Sequence, residues 1–226
     1  MSGMTGLARW TNKAMVWEPF EPTRNLIDEL KATSSEKDRL FLDHGFDRHA
    51  VTDFVLDSVE PIRGPVLDIG TGKGLAAIGV AKRGHKVVTL DPDEEQIKTA
   101  ITNTVGEDLA SMIEFHIADV NDLPFEDESF NLAIMVDVIH HLENADNLLS
   151  EVSRVLVHGG RFVFCDFTDE GFAILDRIHG DDGHSHATME GETVDGLVHG
   201  LHNHGLRCVS RDTRFHQYLV IAEKVG

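Results

Sequence analysis

Cysteine, positive charge and long apolar runs are all scarce in this sequence. Its 226 residues include two cysteines, Cys165 and Cys208, each in an apolar, strand-like stretch. Such cysteines indicate buried free thiols rather than a disulfide framework. No apolar run reaches the roughly 18 residues that cross a bilayer, and the N-terminal stretch lacks the apolar core and cleavage site of a signal peptide. We therefore expect a cytoplasmic protein with no membrane partner.

The shortage of positive charge excludes another class of partner. The chain has 20 lysine and arginine residues against 39 aspartate and glutamate residues, a formal net charge of −19. Binding to nucleic acid draws most of its affinity from cations that neutralise phosphates. No cluster of lysine or arginine offsets the acidic balance. We expect a small-molecule substrate and no nucleic acid, with the oligomeric state open.

Short apolar runs alternate with helical patterns from about Leu67 onward, which predicts repeated β–α units and a mostly parallel sheet. The strands are predicted in "PVLDIG", "KVVTLDPD", "IEFHIADV", "FNLAIMVDV" and "GGRFVFCDF", with a closing pair in "LRCVSRDT" and "FHQYLVIAEK". The helices are predicted in "LAAIGVAKRG", "EEQIKTAITNTV", "ADNLLSEVSRVL" and "TVDGLVHGLHNHG". The fold class predicted is α/β, with a doubly wound sheet.

The N-terminal part has a different pattern. "PTRNLIDELKAT" and "DRHAVTDFVLDSV" are helical, whereas "RWTNKAMVWEPF" has no clear period. No linker or shift in composition separates this part from the remainder. We predict a helical lid over residues 1–60, lying across the mouth of the sheet, and a ligand-binding domain over residues 61–226.

A glycine-rich stretch, "VLDIGTGKG", follows the first predicted strand. A dinucleotide fingerprint requires a third glycine at the position of Leu75. A phosphate loop requires Ser or Thr directly after the lysine, and Lys73 is followed by Gly74. Neither requirement is met. The remaining pattern places Asp68 before the turn, where a carboxylate repels a pyrophosphate and suits a cationic group. It predicts a phosphate-free ligand with a positive end.

Two further carboxylates follow the next strands. Asp91 ends the second strand, where a carboxylate can accept hydrogen bonds from both ribose hydroxyls, and Asp119 follows the third, where it can hold an adenine amine. Either acid alone is compatible with a helix cap or a turn. With Asp68, they predict a single crevice at the carboxyl ends of parallel strands.

Four stretches together resemble the class I S-adenosylmethionine-dependent methyltransferases, in the small-molecule branch related to ubiquinone and menaquinone biosynthesis. They are "VLDIGTGKG", "VVTLDPD", "ADVNDLPFEDESFNLAIMVDVIHHL" and "EVSRVLVHGGRFVFCDF". The resemblance implies a Rossmann-like sheet of seven strands with an antiparallel last strand. It also implies that the glycine turn holds the methionine end and ribose of S-adenosylmethionine. The candidate cofactor-binding residues are Asp68, Gly70, Thr71, Gly72, Gly74, Asp91, Pro92, Asp119, Val120 and Asp137.

The turn after the fourth strand bears on the chemistry. It has "MVDVIHHLEN" where enzymes that methylate nucleobase or amide nitrogens typically have Asn or Asp, two prolines and an aromatic residue. This argues against DNA, RNA-base and glutamine-amide methylation. His140 and His141 are candidate bases, because histidine changes charge near neutral pH, but the same pair also fits a structural opening of the next helix. The catalytic residue is therefore open.

A histidine-rich segment follows the fifth predicted strand. Its candidate metal ligands are Asp166, His179, His184 and His186, with Asp137 on the neighbouring strand. Imidazole suits zinc, nickel, copper or iron. Acidic, histidine-rich loops are also commonly solvated, and we expect this one to shape a substrate pocket without holding a metal.

The favoured function is methyl transfer from S-adenosylmethionine to a small-molecule acceptor by in-line displacement, which requires alignment and exclusion of water. One alternative is a non-catalytic module that binds the cofactor, and another is a metal- or metalloid-linked methyltransferase that uses the histidines. A nicotinamide oxidoreductase ranks last because of Leu75. No stretch of the sequence identifies the acceptor.

Overall fold

A computed structural model describes residues 20–179 and 191–225. The helices are α1 (Arg24–Asp43), α2 (Arg48–Ser58), α3 (Leu75–Lys82), α4 (Glu94–Gly106), α5 (Ala145–Val155), α6 (Asp169–His179) and α7 (Val194–Gly200). The strands are β1 (Val66–Ile69), β2 (Val87–Asp91), β3 (Ile113–Ile117), β4 (Phe130–Val136), β5 (Leu156–Phe167), β6 (Leu206–Arg214) and β7 (Gln217–Lys224).

These strands form one sheet in the order β3-β2-β1-β4-β5-β7-β6. The pairs from β3 to β5 are parallel, and β7 is antiparallel to both of its neighbours. The predicted sheet of seven strands with an antiparallel last strand is confirmed. Because the strand order reverses between β1 and β4, the carboxyl ends of these two strands border the crevice in which such sheets bind ligands.

Alternate residues of the strands enter two hydrophobic clusters, one on each face of the sheet. On one face Leu67 packs in a cluster with Leu148 of α5 and Leu197 of α7. On the other face Val66 packs with Val55 of α2 and with residues of α3 and α6. Both faces are covered by helices, which explains why the central strands are almost wholly apolar.

The two N-terminal helices lie against this layered core. Val55 and Leu56 of α2 are at most 1% exposed, so α2 is part of the helical layer over β1. On α1, Nζ of Lys31 donates a hydrogen bond to the carbonyl oxygen of Gly106, at the end of α4, at 2.8 Å. The boundary at residue 60 and the lid remain predictions.

Two helices differ from the sequence-based expectation. α1 continues to Asp43, ten residues beyond its predicted end, and α6 occupies the start of the segment that we expected to be a histidine-rich insert. The helical spacing of Phe172, Leu175 and Ile178, which contribute to one cluster, was obscured by the charged and histidine-rich residues around it.

Candidate functional site

The turn from β1 to α3 is held in one shape by β2. The backbone N–H groups of Gly70 and Thr71 donate hydrogen bonds to the carbonyl oxygen of Leu90, at 2.9 and 3.0 Å. Gly70 has a φ of +82°, and a Cβ at this position would lie 2.3 Å from Cγ2 of Val138. Only glycine combines this left-handed backbone with such close contact to the segment after β4.

A cavity of about 650 Å³ opens beside this turn, at the carboxyl ends of β1, β2 and β4. Eight of the ten predicted cofactor-binding residues line this first cavity: Gly70, Thr71, Gly72, Asp91, Pro92, Asp119, Val120 and Asp137. Their meeting at one cavity agrees with the expected crevice. Which atoms of a ligand each residue contacts stays a prediction.

Two of the carboxylates are fixed by backbone hydrogen bonds. Oδ2 of Asp91 accepts from the N–H of Gly72 at 3.0 Å, and its Oδ1 accepts from the N–H of Asp93 at 3.0 Å. Oδ1 of Asp119 accepts from the backbone and side-chain nitrogens of Asn121, both at 2.9 Å. A carboxylate has about four lone-pair sites, so both acids retain acceptor capacity for a ligand.

Asp68 and Gly74, also predicted to bind the cofactor, do not line this cavity. Asp68 is 1% exposed, and its Oδ2 accepts a hydrogen bond from the hydroxyl of Thr89 at 2.8 Å. That hydroxyl lies 2.6 Å from the hydroxyl of Thr71, which does line the cavity. Asp68 is therefore linked to the cavity by hydrogen bonds through Thr89 and Thr71. A Cβ on Gly74 would lie 3.1 Å from Cβ of Ala100, so this glycine permits close contact between α3 and α4.

Burial gives Asp68 an unusual charge state. Desolvation, with a smaller contribution from the negative charge of Asp91, raises the pKa of Asp68 from 3.8 to about 7, against the opposing hydrogen bond from Thr89. The carboxyl group is thus half-protonated near neutral pH.

Two cations lie in the wall of the first cavity, and sequence reasoning missed both of them. Arg48 of α2 lines the cavity and forms an ion pair with Asp38 of α1. Lys73, between two glycines of the turn, has its pKa lowered to about 8 by burial and by the positive charges of Arg48 and Lys37. The position of Lys73 inside the glycine motif could have placed it at the cavity. No sequence motif includes Arg48, so nothing in the sequence indicated that it lines the cavity.

Asp137 follows β4 with a left-handed backbone, φ +57°. Its Oδ1 accepts a hydrogen bond from Nε2 of Gln217, on β7, at 2.8 Å. Burial and the neighbouring charge of Asp166 raise the pKa of Asp137 to about 7. Gln217 is fully buried, and its Oε1 has no hydrogen-bond partner within the described residues.

His140 and Asp166 form a buried pair beside the first cavity. Nδ1 of His140 lies 2.8 and 2.9 Å from the two carboxylate oxygens of Asp166, and the backbone N–H of His140 donates to Oδ2 at 3.0 Å. An ionised carboxylate can only accept, so Nδ1 carries the proton and Nε2 is the basic nitrogen of the ring. Sequence reasoning named both residues but did not predict that they pair.

A second cavity, of about 560 Å³, lies on the other side of this pair. His140 and Asp166 line it, together with residues from α6, α7, β6 and β7. The segment Val138–Leu142 contributes residues to both cavities. Val138, His141 and Leu142 line the first cavity, whereas Ile139 and His140 line the second. The rings of His140 and His141 are 4.1 Å apart between their centroids.

Comparisons with known proteins agree with this geometry. Residues 67–164 match the family described as "Methyltransferase domain". Over 112 residues the chain is 33% identical to a demethylmenaquinone methyltransferase from Clavibacter sepedonicus. This alignment covers 49% of this chain and 44% of that protein.

Residues 67–164 are therefore similar to a methyltransferase domain.

Two solved structures show that its fold is that of class I methyltransferases. A SAM-dependent methyltransferase from Aquifex aeolicus superposes with a TM-score of 0.66 at 22% identity, covering 88% of this chain and 98% of that one. Geranyl diphosphate C-methyltransferase from Streptomyces coelicolor, solved with Mg²⁺, geranyl diphosphate and S-adenosyl-L-homocysteine, gives a TM-score of 0.62 at 14% identity, covering 78% and 77%. The predicted resemblance to class I methyltransferases is confirmed. The chain spans less than half the length of the curated relative above.

The candidate metal ligands of this chain are only partly described. Asp166 pairs with His140, whereas His184, His186 and the side chain of His179 lie outside the described residues. Within the described ranges, no three or more of the side chains of His, Cys, Asp and Glu lie together as a metal site would require. The same part of the chain contains no helix long and apolar enough to cross a membrane.

Proposed function

We propose that this chain is an enzyme that transfers a methyl group from S-adenosylmethionine to a small-molecule acceptor, with the cofactor in the first cavity. The supporting observation is the union of a glycine turn and three carboxylates, Asp91, Asp119 and Asp137, around one cavity at the reversal point of the sheet. Glycines at such a turn let a ligand approach the backbone closely.

The residues present fit this cofactor better than a dinucleotide. A Cβ on Gly72 would have no atom within 4 Å, so the backbone of the turn faces open space. The carboxylates Asp91 and Asp137 would repel a pyrophosphate in this cavity, but they suit ribose hydroxyls and a cationic group. When bound, the cofactor supplies an electrophilic methyl group on a positively charged sulfur, which keeps the electron pair of the broken bond.

Each part of the cavity then has a role. Asp91 accepts hydrogen bonds from the ribose hydroxyls, and Asp119 and Val120 flank the adenine, which Pro92 also approaches. Asp137 faces the cationic end. Lys73 is the cation available for a carboxylate, whereas Arg48 in the same wall already pairs with Asp38.

His140 is our candidate for the catalytic base. Nδ1 is held by Asp166 at 2.8 Å, so proton transfer from an acceptor would use Nε2. Asp166 fixes the tautomer and stabilises the imidazolium that forms, as a carboxylate does behind a histidine base. A hydroxyl acceptor requires such a base, because it is protonated at neutral pH.

The direct test is incubation of the purified chain with isotope-labelled S-adenosylmethionine and a metabolite extract, followed by mass spectrometry. We expect at least one product heavier by one labelled methyl group. Binding of the cofactor without a methylated product in any extract would contradict methyl transfer and would favour the non-catalytic module.

We further propose a reducing, cytoplasmic location. Cys165 and Cys208 are both free, and burial raises the pKa of the Cys165 thiol well above its ordinary value, which keeps that thiol unreactive.

A further inference from the structure

We propose that the second cavity is the acceptor site and that it selects an acceptor carrying a cationic amino group in addition to its nucleophile. This inference rests on the proposed function, since an acceptor is needed only if methyl transfer occurs. The cavity and the His140–Asp166 pair in its wall define the site. The charge of its lining decides the class of acceptor.

The position of the cavity suits an acceptor. The segment Val138–Leu142 contributes residues to both cavities, and the candidate base His140 lies in the wall of the second one. His140 is packed by aromatic side chains, with its ring centroid 5.9 Å from that of Phe167 and 5.5 Å from that of Phe172. A molecule in the second cavity would therefore contact the base and be adjacent to the cofactor cavity.

The described lining of the second cavity is strongly acidic. Its carboxylates are Asp166, Asp169, Glu192, Asp195 and Asp212, and its one guanidinium is that of Arg211. That guanidinium is already committed, because Nη2 of Arg211 lies 2.6 Å from Oδ1 of Asp195. A bound anion would meet net repulsion, whereas an ammonium group would meet several carboxylates.

Two of these carboxylates are the best candidates to receive an ammonium group. Asp169, at the exposed start of α6, has no ion-pair partner within the described residues. Within the described residues, the one ion pair of Asp212 is with Arg214, on its own strand, at 3.1 Å. The ring of Tyr218, 42% exposed, also lines the cavity and can attract a cation through its π face.

Three phenols that differ only in side-chain charge test the proposal. Tyramine is cationic, tyrosol is neutral and 3-(4-hydroxyphenyl)propanoate is anionic. Their dissociation constants would be measured by calorimetry, with the full chain saturated with S-adenosylhomocysteine. We expect tyramine to bind about fivefold or more tightly than tyrosol, since partly exposed charge pairs contribute modestly, and the anion to bind most weakly. Equal affinities, a preference for tyrosol, or undetectable binding of tyramine would overturn the proposal.

Substitutions in the lining test whether the preference for tyramine over tyrosol arises in the second cavity. Asp169→Asn and Asp212→Asn should each reduce the preference for tyramine, while Arg211→Gln should increase it by releasing Asp195 from its ion pair. Asp43→Asn removes the same charge from an exposed site on α1 and should leave the preference unchanged. An equal loss in Asp43→Asn and Asp169→Asn would show a bulk charge effect and would overturn the assignment.

The outcomes separate this inference from the proposed function. Failure of S-adenosylhomocysteine to bind would contradict the proposed function itself. Cofactor binding without any preference for the ammonium probe would contradict only the acceptor class.

Discussion

The imidazole of His140 is held by Asp166 from a neighbouring strand, with Nδ1 within 2.9 Å of both carboxylate oxygens. If this pair is the base, His140→Gln and Asp166→Asn should lower kcat by about 10²- to 10⁴-fold, because general base catalysis contributes that much. The measurement is the rate of methyl transfer to the acceptor found in the extract experiment.

The control for this prediction is His158→Gln, an exposed histidine of β5. It should retain wild-type kcat. Both variants of the pair should still bind S-adenosylhomocysteine. A full rate in His140→Gln would exclude the base role.

Asp91 should contribute to cofactor affinity. Asp91→Ala removes the acceptor of the ribose hydroxyls, and we expect weaker binding of S-adenosylmethionine by roughly 1–3 kcal/mol. Calorimetry measures this loss directly. Asp91→Asn retains one acceptor oxygen and should lose less, and unchanged binding in Asp91→Ala would place the ribose elsewhere.

The charge of Asp137 should make cofactor affinity depend on pH. Its pKa is raised to about 7 by burial and by Asp166, so it is mostly protonated below that pH and ionised above it. An ionised carboxylate attracts the cationic cofactor, and affinity should therefore rise up to about tenfold between about pH 6 and pH 8.

Asp137→Asn removes this titration and should flatten that part of the pH dependence while weakening binding at the higher pH. Glu36→Gln, an exposed change on α1, is the control and should keep the wild-type slope. A slope of wild-type size in Asp137→Asn would assign the titration to another group.

Asp68 should lower stability as pH rises. Its pKa is about 7 in the folded chain and 3.8 ordinarily, so between these values the folded state binds more protons than the unfolded state. The free energy of unfolding then decreases with increasing pH through this window. Asp68→Asn keeps an acceptor for Thr89 and removes the charge, so it should be more stable than wild type at about pH 8 by roughly 1–3 kcal/mol.

This difference should shrink as the pH falls toward about 4, where the wild-type carboxyl is protonated in the folded state. Chemical denaturation of the cofactor-free protein at several pH values measures it. A constant difference between variant and wild type at all pH values would contradict the charge argument.

Gly70 should tolerate no side chain, because a Cβ would collide with Val138 in addition to the strain of its left-handed backbone. Gly70 and Gly45 have φ values of +82° and +84°, but a Cβ would meet Val138 at 2.3 Å only at Gly70, while Gly45 has open space. Gly70→Ala should therefore cost about 1–3 kcal/mol more in unfolding free energy than Gly45→Ala.

The double variant Gly70→Ala, Val138→Ala removes the contacted methyl group and should recover part of that difference. Equal costs for Gly70→Ala and Gly45→Ala would show that backbone strain alone requires the glycine.

Local pattern was sufficient to predict the sheet, because most of its strands are short apolar runs bounded by turns. The cofactor crevice was also within reach of the sequence, since Asp91 and Asp119 lie near strand ends that parallel order brings together. Helix α6 was missed because its charged and histidine-rich surroundings hid the apolar spacing of Phe172 and Ile178.

Contacts between distant segments were beyond such reasoning. Gln217 reaches Asp137 across 80 positions of the chain, and this contact depends on β7 inserting between β5 and β6. The pairing of His140 with Asp166 likewise depends on β4 and β5 being neighbours. No periodicity or motif encodes either partner.

The five residues from Val138 to Leu142 are divided between the two cavities, with three lining the first and two lining the second. Because residues of this one segment line both cavities, a displacement of its backbone would change the shape of both. If the two cavities hold donor and acceptor as we propose, variants on the far rim of the second cavity, in β6, α6 and α7, would change the acceptor space without altering the lining of the first cavity.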